Sequence, residues 1–246
     1  MSYTHNYKIA DMTFQVTSTY LYVHHYCKSY LIRETGEHSI LLTQADIDNE
    51  RLIAQESFSD CGLDSNNAPD YYLESIALLR KLAEYICDYD RILMHGSAIS
   101  VDGNGYIFTA VSGTGKSTHT NLLRQLHGDN AVMINDDKPF LHFCNGQVYI
   151  SGTPWMGKHS LGNNITVPLK GVFFLYRSEK NILDTLSPSE ALVKMIAQCH
   201  RPSNPMKLIN TLDLIDKILD AVPLYALGCN MDISAAKISY ETIFGK

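Results

Sequence analysis

The chain has 246 residues, 45 % of them hydrophobic and 19 % charged, with a formal net charge of −6 at pH 7. Such a chain buries a sizeable core in one domain, or in one domain with a smaller appendage. The acidic balance excludes a non-specific nucleic-acid binder, which needs a basic surface to release counterions, and no run approaches the roughly 20 apolar residues of a membrane span. The cysteines Cys27, Cys61, Cys87, Cys144, Cys199 and Cys229 are scattered, without a Cys-x-x-Cys pair. The first residues are polar and aromatic and lack the apolar region of a signal peptide. A reduced, cytoplasmic protein with unpaired thiols and no membrane partner is expected.

Residues 1–70 read as a small β-rich N-terminal subdomain. Thr, Val, Tyr and Ile dominate the runs Thr13 to Val16, Thr19 to Tyr26, Ser29 to Ile32 and Ser39 to Leu42, with a turn at Gly36. A small antiparallel sheet is the expectation. Residues 59–70 are turn formers and read as a linker or exposed loop. The second domain, 71–246, opens with a helix from Tyr71 to about Asp88, capped by Asp70, in which Leu73, Ile76, Leu79, Leu82 and Ile86 recur near the helical period. Strands are expected at 91–94, 97–101, 105–109, 131–134, 139–143, 147–150 and 171–176. Ser187-Pro188-Ser189-Glu190 joins an N-cap, a proline and a capping-box Glu, which predicts a helix to about Cys199. A helix over about 205–220, a short strand over 223–227 and a closing helix over 233–244 complete the chain.

Residues 110–118, Ala-Val-Ser-Gly-Thr-Gly-Lys-Ser-Thr, carry most of the chemical information. They follow the apolar run Tyr106 to Thr109 and precede a helix-like run from Ser117 to Leu126, which Gly128 stops. Backbone N–H groups of Ser112, Gly113, Thr114 and Gly115, and of the helix start at Lys116, Ser117 and Thr118, can wrap a phosphate chain. Lys116 can reach the outer phosphates, and the Ser117 hydroxyl can ligate Mg²⁺. Side chains at Gly113 or Gly115 would block that approach. Ala110 stands where the first glycine of such loops usually sits.

Three further segments fit phosphoryl transfer. Asn135-Asp136-Asp137 ends the apolar run Ala131 to Ile134, where loops of this type place the acid that completes Mg²⁺ binding. Two adjacent carboxylates can share the work, one holding metal and one accepting the proton of an attacking hydroxyl; spacing leaves their assignment open. His95, in Met94-His95-Gly96-Ser97-Ala98, falls beside the loop if the strands pair in order. There an imidazole can donate to developing negative charge. Gly152-Thr153-Pro154-Trp155-Met156-Gly157-Lys158 is a constrained loop whose Lys158 can neutralise charge on a transferring phosphoryl group. Asn163 and Asn164 are weaker candidates. His24-His25, Arg177 and Arg201 read as structural or solvated.

In this order, the His95 element, the loop Ser112-Gly113-Thr114-Gly115-Lys116-Ser117-Thr118 and the Asp136-Asp137 pair resemble the HPr kinase/phosphorylase and ATP-dependent phosphoenolpyruvate carboxykinase superfamily. The resemblance covers residues 91–176, and the chain looks like a small, divergent HPr-kinase-like protein. It implies an α/β fold: a P-loop kinase core with a mixed, twisted sheet. It implies His95 as active-site histidine, Asp136 as acid/base, and Asp137 with Ser117 as the metal site. It also admits a homo-oligomer. Gly152 to Lys158 stands where HPr kinases carry an Arg-Gly-rich element. The expected activity is an ATP- and Mg²⁺-dependent kinase. It would transfer the γ-phosphoryl group to a hydroxyl, on a Ser of a peptide or protein or on a small metabolite. The alternative is a nucleotide-binding regulatory or interaction module without transfer, for which one acid would suffice.

Overall fold

The computed structural model describes residues 2–59 and 68–244. Two compact units divide between Tyr85 and Ile86. In the first, β1 (Tyr3–Ile9), β2 (Met12–Ser18), β3 (Leu31–Ile32) and β4 (His38–Leu41) form a sheet in the order β3-β1-β2-β4. The β1–β2 hairpin pairs Ile9 with Met12 across a two-residue turn. Ala10 and Asp11 there both have positive φ, 50° and 59°, the primed turn geometry that matches strand twist. β4 runs parallel to β2.

Among the described residues this unit has three α-helices: α1 (Tyr22–Tyr26), α2 (Gln44–Ser59) and α3 (Asp70–Ile86). The expectation of a β-rich N-terminal part is thereby corrected to a mixed one. Residues 22–26 are helical rather than extended because His24 is drawn inward. Its ring nitrogens lie 2.6 Å from Tyr7 Oη and 3.0 Å from Ser18 Oγ, and one helical turn stacks Tyr22 on Tyr26. α2 is held at its start by Thr43. The Thr43 N–H and hydroxyl both donate to Asp46, each at 2.7 Å; the bond from the N–H is one half of a capping box. α2 also carries Glu50, buried and ion-paired with Arg80 of α3. The expected linker at 59–70 lies, for residues 60–67, outside the described residues.

The second unit follows the sequence pattern closely. β5 (Arg91–Leu93), β6 (Ser97–Val101), β7 (Asn104–Thr109), α4 (Lys116–His127), β8 (Ala131–Asn135), β9 (Phe140–Cys144) and β10 (Gln147–Ser151) come first. Then follow β11 (Thr166–Arg177), β12 (Ile182–Thr185), α5 (Pro188–Gln198), α6 (Pro205–Ala221), β13 (Leu224–Cys229) and α7 (Ile233–Phe244). The nine strands make one mixed sheet, β5-β9-β10-β11-β7-β6-β8, with β13 also beside β11 and β12 beside β13. β11 is long enough to pair antiparallel with β10 near its start and parallel with β13 near its end.

Alternation along the central strands feeds two cores. Ile107, Ile134, Val172 and Phe174 face α5 and α6 through Ala191, Met195, Leu214 and Ile218. Tyr106, Phe108, Met133 and Phe173 face α4 and α7 through Leu122, Leu123, Ala235 and Ala236. That is the period-2 pattern of a sheet covered on both faces. Each core fixes one helix of the site, α4 on one side and α5 on the other. α4 stops at Gly128 with φ 55°, and α5 carries the expected capping box between Ser187 and Glu190. Among the described residues no helix is long and apolar enough to cross a membrane.

Candidate functional site

The 110–118 loop joins the end of β7 to the start of α4. Gly113 and Gly115 have φ of 78° and 120°, and no atom lies within 4 Å of where a Cβ would stand on either. Their backbone faces open space, in a conformation that only glycine adopts without strain. Ala110 is not in the left-handed region, so the alanine is accommodated there. Lys116 is nearly buried, and its ammonium donates to the Ala110 carbonyl at 3.0 Å. Burial lowers its pKa, while the nearby Asp137 and, less strongly, Asp136 support its charge. Ser117, in the first turn of α4, makes no side-chain hydrogen bond among the described residues.

Antiparallel pairing of β6 with β7, and of β6 with β8, brings the other candidates to the same end of the sheet. Thr109 Oγ1 donates to the His95 carbonyl at 2.7 Å, and the Gly96 N–H donates to the Asp137 carbonyl at 3.0 Å. Asp136, 7 % exposed, accepts from Ser97 Oγ at 2.6 Å. Ser97 lies 2.8 Å from Thr120 of α4. Asp137 is more open, with the His95 Nε2 and the Lys138 ammonium each 3.4 Å from its Oδ1. Burial first, then Lys138 and Lys116, push the His95 pKa down to about 4. At neutral pH the His95–Asp137 contact is therefore polar rather than an ion pair.

Asn135 shapes the turn that separates the carboxylates. Its side-chain oxygen accepts from the N–H groups of Asp137 at 2.8 Å and Lys138 at 2.6 Å. Its amide donates to Thr153, which ties in the 152–158 loop. Pro154 and Trp155 bury that loop's middle. Gly157, at φ 70°, passes so close to Asp137 that a Cβ would lie 3.2 Å from the Asp137 Cβ. Lys158 follows on the exposed turn beside it.

The structure thus brings His95, Lys116, Asp136 and Asp137 together, with the loop of Lys158 adjoining. Asn163 instead clamps its segment to β8, donating to Met133 and Ile134 carbonyls. Asn164 and Arg201 are exposed, and His24 is a buried packing group of the first unit. Sequence reasoning undervalued Arg177. At the end of β11 it donates to the Gly113 carbonyl at 2.7 Å, holding the loop from outside. It also missed Ser97 and Gln198, which had no spacing signal: their partners lie on other strands and helices.

Beside α4 and the loop, a cleft of about 690 Å³ is lined by residues including Thr118, Arg177, Glu179, Asn230 and Met231. That volume lies within the range of small-molecule sites. Among the described residues no group of three or more His, Cys, Asp or Glu side chains could hold a metal by itself. Ser117 and one carboxylate still fit a Mg²⁺ that takes its other ligands from phosphate and water.

No protein-family model matches the chain, and no curated protein matches it. Among solved structures it is similar to an Hpr(Ser) kinase/phosphatase from Coxiella burnetii, with 12 % identity and a TM-score of 0.36. The match covers 61 % of this chain and 97 % of that one. A likeness of that size leaves the functional reading to the geometry of the site itself.

Proposed function

We propose that the chain is an ATP- and Mg²⁺-dependent phosphotransferase of the HPr-kinase-like type, acting on a hydroxyl acceptor. The observation that carries this reading is the convergence of Lys116, Asp136, Asp137 and His95 at the end of a loop with open backbone at Gly113 and Gly115. Residues 112–118 would bind the phosphates through backbone N–H groups and the α4 N-terminus. The nucleoside would occupy the cleft beside Arg177 and Asn230. Mg²⁺, held by Ser117 and Asp137, would offset charge on the phosphate oxygens.

Asp136 would take the proton of the acceptor hydroxyl as its oxygen bonds to the γ-phosphorus and the bond to ADP breaks. Ser97 holds one Asp136 oxygen. Neutral His95 would serve as a hydrogen-bond donor at the same place, and Lys158 would add positive charge from its turn. Most of the acceleration comes from positioning and charge, which these groups supply without covalent chemistry.

The test is transfer of labelled γ-phosphate from MgATP to pools of Ser-containing peptides and hydroxylated metabolites. The parent should yield a labelled product, and Asp136→Asn should lower the rate by about 10²- to 10⁴-fold. Tight MgATP binding without a product from any pool would replace this reading by the regulatory module.

A further inference from the structure

On the opposite side of the loop from the Arg177 cleft lies a second, smaller pocket of about 290 Å³. Its floor is Thr109, Ala110 and Phe174, and its far wall is the outer face of α5, with Val193, Ala197 and Gln198. Val111 and Val193 are 74 % and 73 % exposed, unusually open for β-branched apolar residues. α5 buries Ala191 and Met195 in the core, so Val193 and Ala197 are free to face an occupant.

Two of the pocket's residues hold the backbone that carries His95, and the Gln198 side chain also hydrogen-bonds to its imidazole. Thr109 Oγ1 donates to the His95 carbonyl, and the His95 N–H donates to the Gln198 carbonyl at 2.7 Å. The pocket therefore borders the segment that carries His95. It lies across the loop from the larger cleft that suits the nucleoside. A volume of about 290 Å³ is at or below the lower end for a whole small ligand. It suits one apolar side chain of a larger one. At the rim Lys194 has no ion-pair partner among the described residues, which favours an anionic group nearby and disfavours a cation.

Resting on the phosphotransferase reading, we infer that this pocket is an acceptor subsite. It seats an apolar side chain of a peptide acceptor, close in sequence to the hydroxyl-bearing residue. Val193 and Ala197 are its specificity-determining residues. The acceptor segment runs over the exposed face of α5 and presents its hydroxyl to Asp136 beside His95.

The probe is a Ser-centred degenerate peptide library with each flanking position fixed in turn, phosphorylated with labelled MgATP. One flanking position should favour Leu, Met or Phe over Gly or Asp by about ten- to a hundredfold in kcat/KM, as burial of one such side chain provides. Val193→Asp and Ala197→Gln change exposed positions and should keep the fold, checked by circular dichroism. Each should reduce that preference to within about twofold. Transfer without any flanking preference overturns the inference, as does a preference that survives both substitutions. A parent that binds MgATP and phosphorylates a metabolite but no peptide overturns it too, while leaving the phosphotransferase reading intact. A parent that binds no MgATP overturns both.

Discussion

The two sides of the 110–118 loop differ in chemistry although they share one backbone. On the α4 side the cleft is large and edged by polar groups, and the Arg177 guanidinium holds the loop through the Gly113 carbonyl. On the α5 side the pocket is less than half that volume and walled by Val111, Val193 and Ala197. On the proposed reading, the contrast suits a donor that brings charge and hydrogen-bonding groups and an acceptor recognised by a side chain. Lys116 follows the loop that borders both pockets, and Asp137 and Asp136 support its charge.

Removing what both sides share should have the largest effect. Lys116→Ala takes away the ammonium that would meet the outer phosphates. Transfer should fall by at least about 10³-fold, measured by single-turnover kinetics with labelled ATP. Activity near that of the parent would show that the loop is not the transfer site. Lys158→Ala, on the adjoining turn, should lower kcat by about ten- to a hundredfold with KM for ATP nearly unchanged, because its charge matters in the transition state. A normal rate would remove it from the mechanism.

Arg177→Ala separates the sides. Loss of one charge-assisted hydrogen bond at an exposed position should raise the Kd for MgATP about three- to tenfold, read by calorimetry. Peptide selectivity should not move.

A last effect is on stability rather than on transfer or binding. His119, on α4, is buried against Phe108, and its Nε2 lies 3.0 Å from Ser239 Oγ. Burial lowers its pKa to about 4. The unfolded chain takes up the proton first, near pH 6.5, so the neutral ring's stability is whole above that pH and is lost as pH falls toward 4. The loss should be on the order of 3 kcal/mol. Denaturant melts at pH 7 and pH 4.5 should show it, and His119→Gln should flatten the dependence.

How much was legible differed between the units for a physical reason. In the second, local signals and tertiary demands agree. Strands fully covered on both faces read as apolar runs, Gly128 stops α4, and Ser187 with Glu190 starts α5. In the first, Tyr- and Val-rich residues 22–26 have β propensity, yet burial of His24 between Tyr7 and Ser18 bends them into a helical turn. A tertiary hydrogen-bond pair outweighed an intrinsic preference of a few tenths of a kcal/mol. The boundary moved for a similar reason. α3, expected to open the second domain, holds Glu74, which accepts from the Thr19 and Tyr20 N–H groups of the first unit's chain.

By itself the sequence determined that a small-residue loop with a lysine and a hydroxyl stands between a strand and a helix, with a histidine before it and paired acids after it. Those features are local, since glycine conformations, caps and apolar alternation act over a few residues. Tertiary structure alone decided that Asp136 is buried against Ser97 while Asp137 meets His95 and Lys138. It alone set Arg177 on the outside of the loop and Gln198 beside His95. These contacts join residues far apart in the chain through strand order, which no short-range spacing encodes. The two pockets flanking the loop come into being only when that order is in place.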